Sequence, residues 1–202
     1  MDLTPEEFNK LTKLYGNYGS WAIWSYDKFR SGEKLTDPIF QNIGFLNNKY
    51  VIIGLNISKP VGVWSNFRGG THDRKLKYAF NDTDLKGCYM TDLFKDVVNP
   101  SSTLLYKYIE SQPHLIQHNV DLFRHEMSDL KISSSTTFIL MGTEQSTLAT
   151  LYQKYFQIHF PNIKVIYHRH YSSRGSDQEW VESMWQTLGI ELEYQVILRK
   201  YQ

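Results

Sequence analysis

The stretch YVIIGLN, residues 50–56, decides the fold. It is a short apolar run, rich in β-branched residues, and such a run is typical of a strand that is buried on both faces. Three further runs of this kind follow it, at Cys88–Phe94, Thr137–Gly142 and Lys164–His168. Buried strands that alternate with helical stretches form parallel sheets, so the sequence predicts an α/β protein.

Helical apolar spacing fills the segments between these strands. The predicted helices are Asp73–Phe80, Ser102–Leu130 with a break at Pro113, Glu144–Phe160, and Asp177–Leu188 with Gly189 as its stop. Crossovers of this length cover both faces of a sheet. We therefore expect a three-layer α/β/α fold with a central four-stranded, mostly parallel sheet. Ile190–Leu198 is interpreted as an additional terminal strand.

The amino-terminal segment has its own local signals. Thr4-Pro5-Glu6-Glu7 is a capping box with proline at the first helical position, so a helix begins there. Trp21–Phe29 is interpreted as a second, shorter helix. Asn47-Asn48 tolerates positive φ and predicts a hairpin turn before the first long strand. We expect one domain over residues 1–202, with a helical extension at 1–38 and the core at 39–202.

Composition excludes several classes of protein. The chain of 202 residues carries 22 basic and 21 acidic side chains, for a formal charge of +1, so bulk electrostatic wrapping of nucleic acid is not expected. Cys88 is the single cysteine, which rules out an internal disulfide and a thiolate metal cluster. Apolar runs are too short to span a bilayer, and the acidic amino terminus lacks the features of a secretory signal. We expect a cytoplasmic protein with no membrane partner.

Polar residues follow each predicted strand, where open parallel sheets bind their ligands. Taken singly, each has an ordinary interpretation: Asn56 as a turn residue, Asp92 as a partner of Lys95, and His168 and His170 as part of a solvated loop. Neither the P-loop pattern nor the GxGxxG fingerprint occurs, and the serines near His170 lack a GxSxG elbow. Two histidines without a third ligand make a weak zinc site, so neither metal nor cofactor is predicted.

Four of these segments together resemble, in order and spacing, the motifs of the uracil-DNA glycosylase superfamily. They are Gly54-Leu55-Asn56-Ile57, Asn66-Phe67-Arg68-Gly69-Gly70, Thr91-Asp92-Leu93-Phe94-Lys95 and His170-Tyr171-Ser172-Ser173. The resemblance is remote and covers roughly residues 50–188. It implies DNA repair by base flipping, in which a base is extruded into a pocket and its N-glycosidic bond is hydrolysed.

The resemblance also implies roles for individual residues. Asn56 would orient the attacking water and His170 would donate to the base carbonyl, as the two catalytic residues. Phe67 would stack on the base, and Asp92, with Asn66 beside it, would read the base edge. DNA contacts are implied for Ser58, Arg68, Lys95, Ser172, Ser173 and Arg174. The implied partner is DNA that contains a modified base, bound by a monomer.

Three positions depart from the family pattern. Ile57 and Tyr171 stand where the family has proline, and Asp92 is acceptor-only when ionised, whereas uracil presents an N3 donor beside an O4 acceptor. The pocket then reads another base, or Asp92 is protonated, or Asn66 does the reading. Two alternatives to a glycosylase stay open: a non-catalytic nucleic-acid-binding protein of the same fold, and an unrelated α/β nucleotide-ligand module.

Overall fold

The computed structural model describes residues 1, 3–25, 36–57, 59–95, 97 and 102–201. These residues form an α/β structure with a mixed, five-stranded sheet and helices on both sides. The strands are β1 (Ser20–Trp21), β2 (Asn47–Asn56), β3 (Cys88–Phe94), β4 (Thr137–Met141) and β5 (Lys164–His168). The α-helices of the described part are α1 (Pro5–Tyr15), α2 (Asp37–Gln41), α3 (Asp73–Phe80), α4 (Ser102–Glu110), α5 (Pro113–Asp129), α6 (Thr147–Leu151), α7 (Asp177–Leu188) and α8 (Tyr194–Arg199).

The strand order β1-β3-β2-β4-β5 determines where a ligand can bind. β2 pairs in parallel with both β3 and β4, and β4 pairs in parallel with β5, so these strands end at one edge of the sheet. β1 runs antiparallel to β3, with Ser20 opposite Met90 and Trp21 opposite Tyr89. The α/β class is confirmed, but the sheet has a fifth, antiparallel strand that the sequence did not indicate.

Both faces of the sheet are buried, as the apolar strands predicted. In β2, Val51 and Ile53 join the core formed with α1, α4, α5 and α6, while Ile52 joins the core formed with α3, α7 and α8. Successive side chains of a strand point to opposite faces, so a continuous apolar run fills both layers. None of the described helices combines the length and apolar character that crossing a bilayer requires.

The local signals at several helix ends are confirmed. Thr4 Oγ1 accepts from the Glu7 backbone N–H while the Glu7 carboxylate accepts from the Thr4 backbone N–H, which completes the predicted capping box. Gly189 ends α7 at a φ of 69°, a left-handed conformation that glycine adopts without steric cost. α3 and α7 span the predicted ranges, and Pro113 begins α5 after a break.

The predicted second helix at Trp21–Phe29 is wrong where the structure describes it. Trp21 lies in β1, where it pairs with Tyr89 of β3, and its carbonyl, like that of Ile23, accepts a hydrogen bond from the guanidinium of Arg68. Ser20, the other residue of β1, also has a distant partner, because its Oγ donates to the Trp64 carbonyl at 2.8 Å. These partners lie more than 40 residues away in sequence, so apolar spacing alone could not reveal the strand. Residues 26–29 lie outside the described residues.

The predicted hairpin turn at Asn47-Asn48 is also wrong, because both residues lie in β2. Asn48 Nδ2 donates to the carbonyls of Leu130 and Lys131, and Asn47 Nδ2 donates to the carbonyl of Lys86. The two amides therefore connect the start of β2 to the turn before β3 and to the segment that follows α5. The expected terminal strand at Ile190–Leu198 is wrong as well, because the chain there forms α8.

Candidate functional site

A cavity of about 620 Å³ opens at the carboxyl ends of the parallel strands. The ends of β2, β3 and β4, the segment after β2 and the loop after β5 form its walls. Seven residues singled out from the sequence line it, namely Asn56, Asn66, Phe67, Asp92, His170, Ser172 and Ser173. The structure thus brings together both predicted catalytic residues and all three predicted base-binding residues.

The side chain of Asn56 is held by backbone carbonyls at the cavity wall. Its Nδ2 donates to the Val97 carbonyl at 2.9 Å and to the Ile57 carbonyl at 3.2 Å. These bonds fix the plane of the amide, whose Oδ1 can only accept hydrogen bonds. At this wall Asn56 can orient a water molecule, but an amide cannot take a proton from it.

Phe67 has an unusual backbone conformation that places its ring in the cavity. Its φ is 60°, in the left-handed region that non-glycine residues rarely adopt, and its N–H donates to Asn66 Oδ1 at 3.0 Å. The ring edge lies close to Gly54, because a Cβ at that position would be 3.3 Å from Phe67 Cζ. The surrounding structure therefore fixes the ring against the end of β2, where a planar ligand could stack on it.

Asn66 and Asp92 form a buried pair behind this ring. Asn66 Nδ2 donates to Asp92 Oδ2 at 2.7 Å and to the Tyr18 carbonyl at 2.8 Å. Burial raises the pKa of Asp92 to about 6, and the hydrogen bond from Asn66 and the charge of Lys95 oppose that rise. Both amide hydrogens of Asn66 are used within the protein, so Asn66 positions Asp92 and Phe67 and does not offer a donor to a ligand.

His170 is held in one tautomer by Ser172. The Ser172 backbone N–H donates to His170 Nδ1 at 3.1 Å, and Ser172 Oγ lies 2.7 Å from the same nitrogen. An accepting Nδ1 leaves the proton of the neutral ring on Nε2. Burial, with a smaller contribution from His72, lowers the pKa of His170 to about 4, so the ring is uncharged at neutral pH. His170 is therefore a neutral N–H donor at the cavity wall.

Tyr171 extends the aromatic wall of the cavity. Its ring stacks on His170 with centroids 4.3 Å apart and an interplanar angle of 27°, and it lies 6.2 Å from the Phe67 ring. It also borders a smaller neighbouring cavity of about 210 Å³ that contains Lys59 and His72. Tyr171 therefore lies between the two cavities together with Asn66 and Phe67, which line both as well.

Lys95, for which the resemblance implies a DNA contact, does not lie at the protein surface. Its ammonium is fully buried and forms an ion pair with Glu126 at 2.8 Å. It also donates to Thr91 Oγ1 at 3.0 Å and to the Asp92 carbonyl at 2.6 Å. A buried cation keeps its charge only when it is paired and hydrogen-bonded in this way, so Lys95 stabilises the end of β3 from within.

Arg68, the other cation with an implied DNA contact inside the core segments, is also buried. Its guanidinium is buried, donates to Ser20 Oγ at 2.9 Å and to the carbonyls of Trp21 and Ile23, and lies 5.0 Å from the Trp24 ring. Burial lowers its pKa to about 9. The hydrogen bonds of Arg68 therefore connect β1 to the segment that carries Phe67.

The remaining predicted DNA contacts differ in exposure. Arg174 and Ser172 are exposed and Ser173 is half-buried. Ser58 lies outside the described residues. Two further cations lie in these segments: Arg169 lines the cavity, whereas Arg74 forms an ion pair with Asp177.

Lys75 is a site residue that the sequence reasoning missed. It is buried, and its Nζ donates to the carbonyls of Ser173 at 3.2 Å and Gly175 at 3.3 Å. These bonds hold the loop that carries His170 and Ser172. The available signal was its position four residues before the buried Ala79 of α3, which places a lysine on the apolar face of that helix.

His168 belongs to the core. Its ring packs edge-on against Trp180, and its nitrogens bond the Arg169 carbonyl and Ser183 Oγ, each at 3.1 Å. The two histidines therefore do not share a site. No group of three or more potential metal ligands occurs within the described ranges.

Comparison with known proteins adds no relative. No family model matches the sequence, and neither the curated proteins nor the solved structures contain a match. The chemistry of the cavity is therefore the basis for a functional assignment.

Proposed function

We propose that this protein is a DNA glycosylase that hydrolyses the N-glycosidic bond of a base extruded into the cavity. The observation that carries the proposal is the convergence of Asn56, Phe67, Asp92 and His170, from four separate segments, on one cavity. Strands β2 to β5 are parallel to one another, with Asn56 at the end of the first and His170 after the last. This arrangement supports the resemblance to the uracil-DNA glycosylase superfamily.

The two catalytic residues match the two demands of the reaction. The bond between C1′ and the base breaks, its electron pair leaves with the base, and a water oxygen bonds to the cationic C1′. The proton that this water then loses neutralises the departing base anion. A sugar cation needs only a weak nucleophile, so an amide that orients water is sufficient. The neutral His170 Nε2–H can donate to a carbonyl oxygen on which negative charge develops, and a fixed donor of this kind is worth about 10²–10³ in rate.

The burial of two cations bears on the alternative of a protein that only binds nucleic acid. Binding without chemistry depends largely on exposed cations that contact phosphates. Lys95 and Arg68 were expected to supply such contacts, but both are committed to partners inside the protein. Both alternatives need phosphate contacts, so what favours an enzyme is the cavity, where Asn56 and His170 present groups suited to hydrolysis.

The experiment is release of free base from oligonucleotides that carry uracil, hypoxanthine, xanthine, cytosine or mismatched bases. Wild type is compared with Asn56→Ala and His170→Ala. The matched controls are Asn162→Ala and His125→Ala, because both residues line a groove at the amino-terminal ends of β4 and β5, away from the cavity.

We expect release by wild type and both controls and a loss of at least about 100-fold in each cavity variant. No release from any substrate would contradict the proposal. If DNA binding persisted in that case, the protein would be a nucleic-acid-binding module.

A further inference from the structure

One oxygen of the buried Asp92 carboxyl is committed to the protein and the other faces the cavity. Oδ2 accepts the 2.7 Å hydrogen bond from Asn66. Oδ1 lies directly over Gly54, where a Cβ would collide with it. Among the described residues, no donor is hydrogen-bonded to Oδ1, and Asp92 lines the cavity although its side chain is buried. A ligand in the cavity therefore meets this single atom of Asp92.

The charge state of Asp92 decides what Oδ1 can bind. Burial raises the pKa of the carboxyl to about 6; Lys95 at the end of β3 opposes the rise and Glu126 on α5 adds to it. Burial raises the pKa of Tyr171, in the loop after β5, and the charge of Asp92 in turn adds to that rise. Above pH 7 the carboxyl is ionised, so Oδ1 accepts and cannot donate.

Asn66 cannot reverse this polarity. Both hydrogens of its amide are donated within the protein, and its Oδ1 accepts from the Phe67 N–H. The end of β3 therefore presents an acceptor, whereas the loop after β5 presents the neutral donor of His170. β3 and β5 flank β2 and β4 in the sheet, so the two groups reach the cavity from different strands.

We propose that the cavity selects bases with an exocyclic amino group for Asp92 and a ring carbonyl for His170, the pattern of cytosine-type pyrimidines, in preference to uracil. The inference rests on the proposed function, whose base pocket it specifies. Cytosine carries an amino donor at position 4, whereas uracil carries the O4 acceptor there, next to its N3–H donor. At position 4 an ionised carboxylate attracts the amino group of cytosine and repels O4 of uracil.

Asp92→Asn gives a sharp test because Asn66 fixes the orientation of the new amide. The oxygen of that amide would accept from Asn66 Nδ2, so its NH₂ group would replace Oδ1 at the cavity. The variant should therefore prefer uracil. Asp121→Asn is the control, since Asp121 lies on α5 and pairs with Arg124 at the surface.

Dissociation constants for free cytosine and uracil are measured by calorimetry at pH 8 and pH 5, together with those for oligonucleotides carrying either base. At pH 8, wild type and the control should bind cytosine at least about 10-fold more tightly than uracil, because a buried group left unpaired costs at least this factor. Asp92→Asn should reverse the order. At pH 5, where Asp92 is protonated, the preference of wild type should shrink.

Equal or tighter binding of uracil by wild type at pH 8 would overturn the inference, as would an unchanged ratio in Asp92→Asn. Absence of binding to both bases and both oligonucleotides would overturn it too. The measurement does not require hydrolysis. A retained preference without base release would support the selectivity and contradict only the proposed reaction.

Discussion

Asn66 donates a hydrogen bond of 2.7 Å from Nδ2 to Oδ2 of Asp92, and the same side chain accepts from the Phe67 N–H at 3.0 Å. One amide thus orients the carboxyl that faces a ligand and the aromatic ring on which the ligand would stack. The left-handed φ of Phe67 makes this support necessary, because such a conformation costs about 1 kcal/mol or more unless its surroundings hold it.

Replacing Asn66 should change both stability and the titration of Asp92. In Asn66→Ala the Phe67 N–H and the Tyr18 carbonyl each lose one hydrogen bond, so the free energy of unfolding should fall by about 2 kcal/mol. The pKa of Asp92 should rise further above 6, because the bond from Asn66 lowers it. Denaturant unfolding and NMR titration of a labelled Asp92 carboxyl measure the two effects.

Asn81→Ala is the control for this experiment. Asn81 is also buried and bonds the backbone N–H and carbonyl of Trp24, but it does not line the cavity. It should lose a similar amount of stability and leave the titration of Asp92 unchanged. Equal titration of Asp92 in wild type and Asn66→Ala would contradict the coupling.

Gly54 should tolerate no side chain, because its Cα faces Asp92 Oδ1 and Phe67. In Gly54→Ala the new Cβ collides with the carboxyl oxygen, so the carboxyl or the strand must move. We expect a loss of about 1–3 kcal/mol in unfolding free energy, together with loss of base binding. Gly44→Ala should change neither, since no atom lies within 4 Å of a Cβ at that position. Wild-type base affinity in Gly54→Ala would show that Oδ1 does not face the ligand.

The sequence revealed the parallel strands and the cavity residues because both depend on short, local patterns. Apolar runs mark the strands, and polar residues at their ends meet at one edge whatever the details of packing. The residues for which the sequence-based prediction was wrong form contacts with residues that are distant in the chain. Lys95 has the local sequence of an exposed cation, but in the fold it pairs with Glu126, 31 residues later. Asn48 has the local sequence of a turn residue, but its amide donates to the Leu130 carbonyl.

Asp92 should make the protein less stable as pH rises through the acid range. Its pKa is about 6 in the folded state, against about 3.9 when unfolded, so the folded state binds more protons between these values. Stability contributed by the protonated group is complete below about pH 4 and is lost as pH rises through 6. The pKa difference of roughly 2 units corresponds to a loss of about 3 kcal/mol.

Asp92→Asn removes this titration. The difference in unfolding free energy between the variant and wild type, followed by urea denaturation from pH 4 to pH 7, should therefore move in favour of the variant by about 2–3 kcal/mol. The comparison isolates Asp92, because the buried His168 titrates in the same way in both proteins. If the difference in unfolding free energy stayed constant with pH, the pKa of the Asp92 carboxyl would not be raised in the folded protein.

Lys75 should control the loop of His170 without contributing much to the global stability. Its ammonium bonds the carbonyls of Ser173 and Gly175, and Lys75→Met keeps the apolar volume but removes both bonds. Replacing a buried charge by an apolar side chain is often neutral or stabilising overall. The loop amides should nevertheless exchange at least about 10-fold faster with solvent, since the bonds that close the loop are gone.

The two effects of Lys75→Met should thus separate, with unfolding free energy maintained while the protection of the loop and the affinity for base fall. Lys77→Met is the control on the same helix, because Lys77 Nζ lies over the Tyr201 ring, 4.3 Å from its centroid, and does not contact the loop of His170. Hydrogen exchange read by mass spectrometry on peptides that cover residues 170–176 distinguishes the two variants. If both variants kept wild-type protection there, the loop would be held by the Ser172 and His170 contacts alone, and Lys75 would serve only to fill the core.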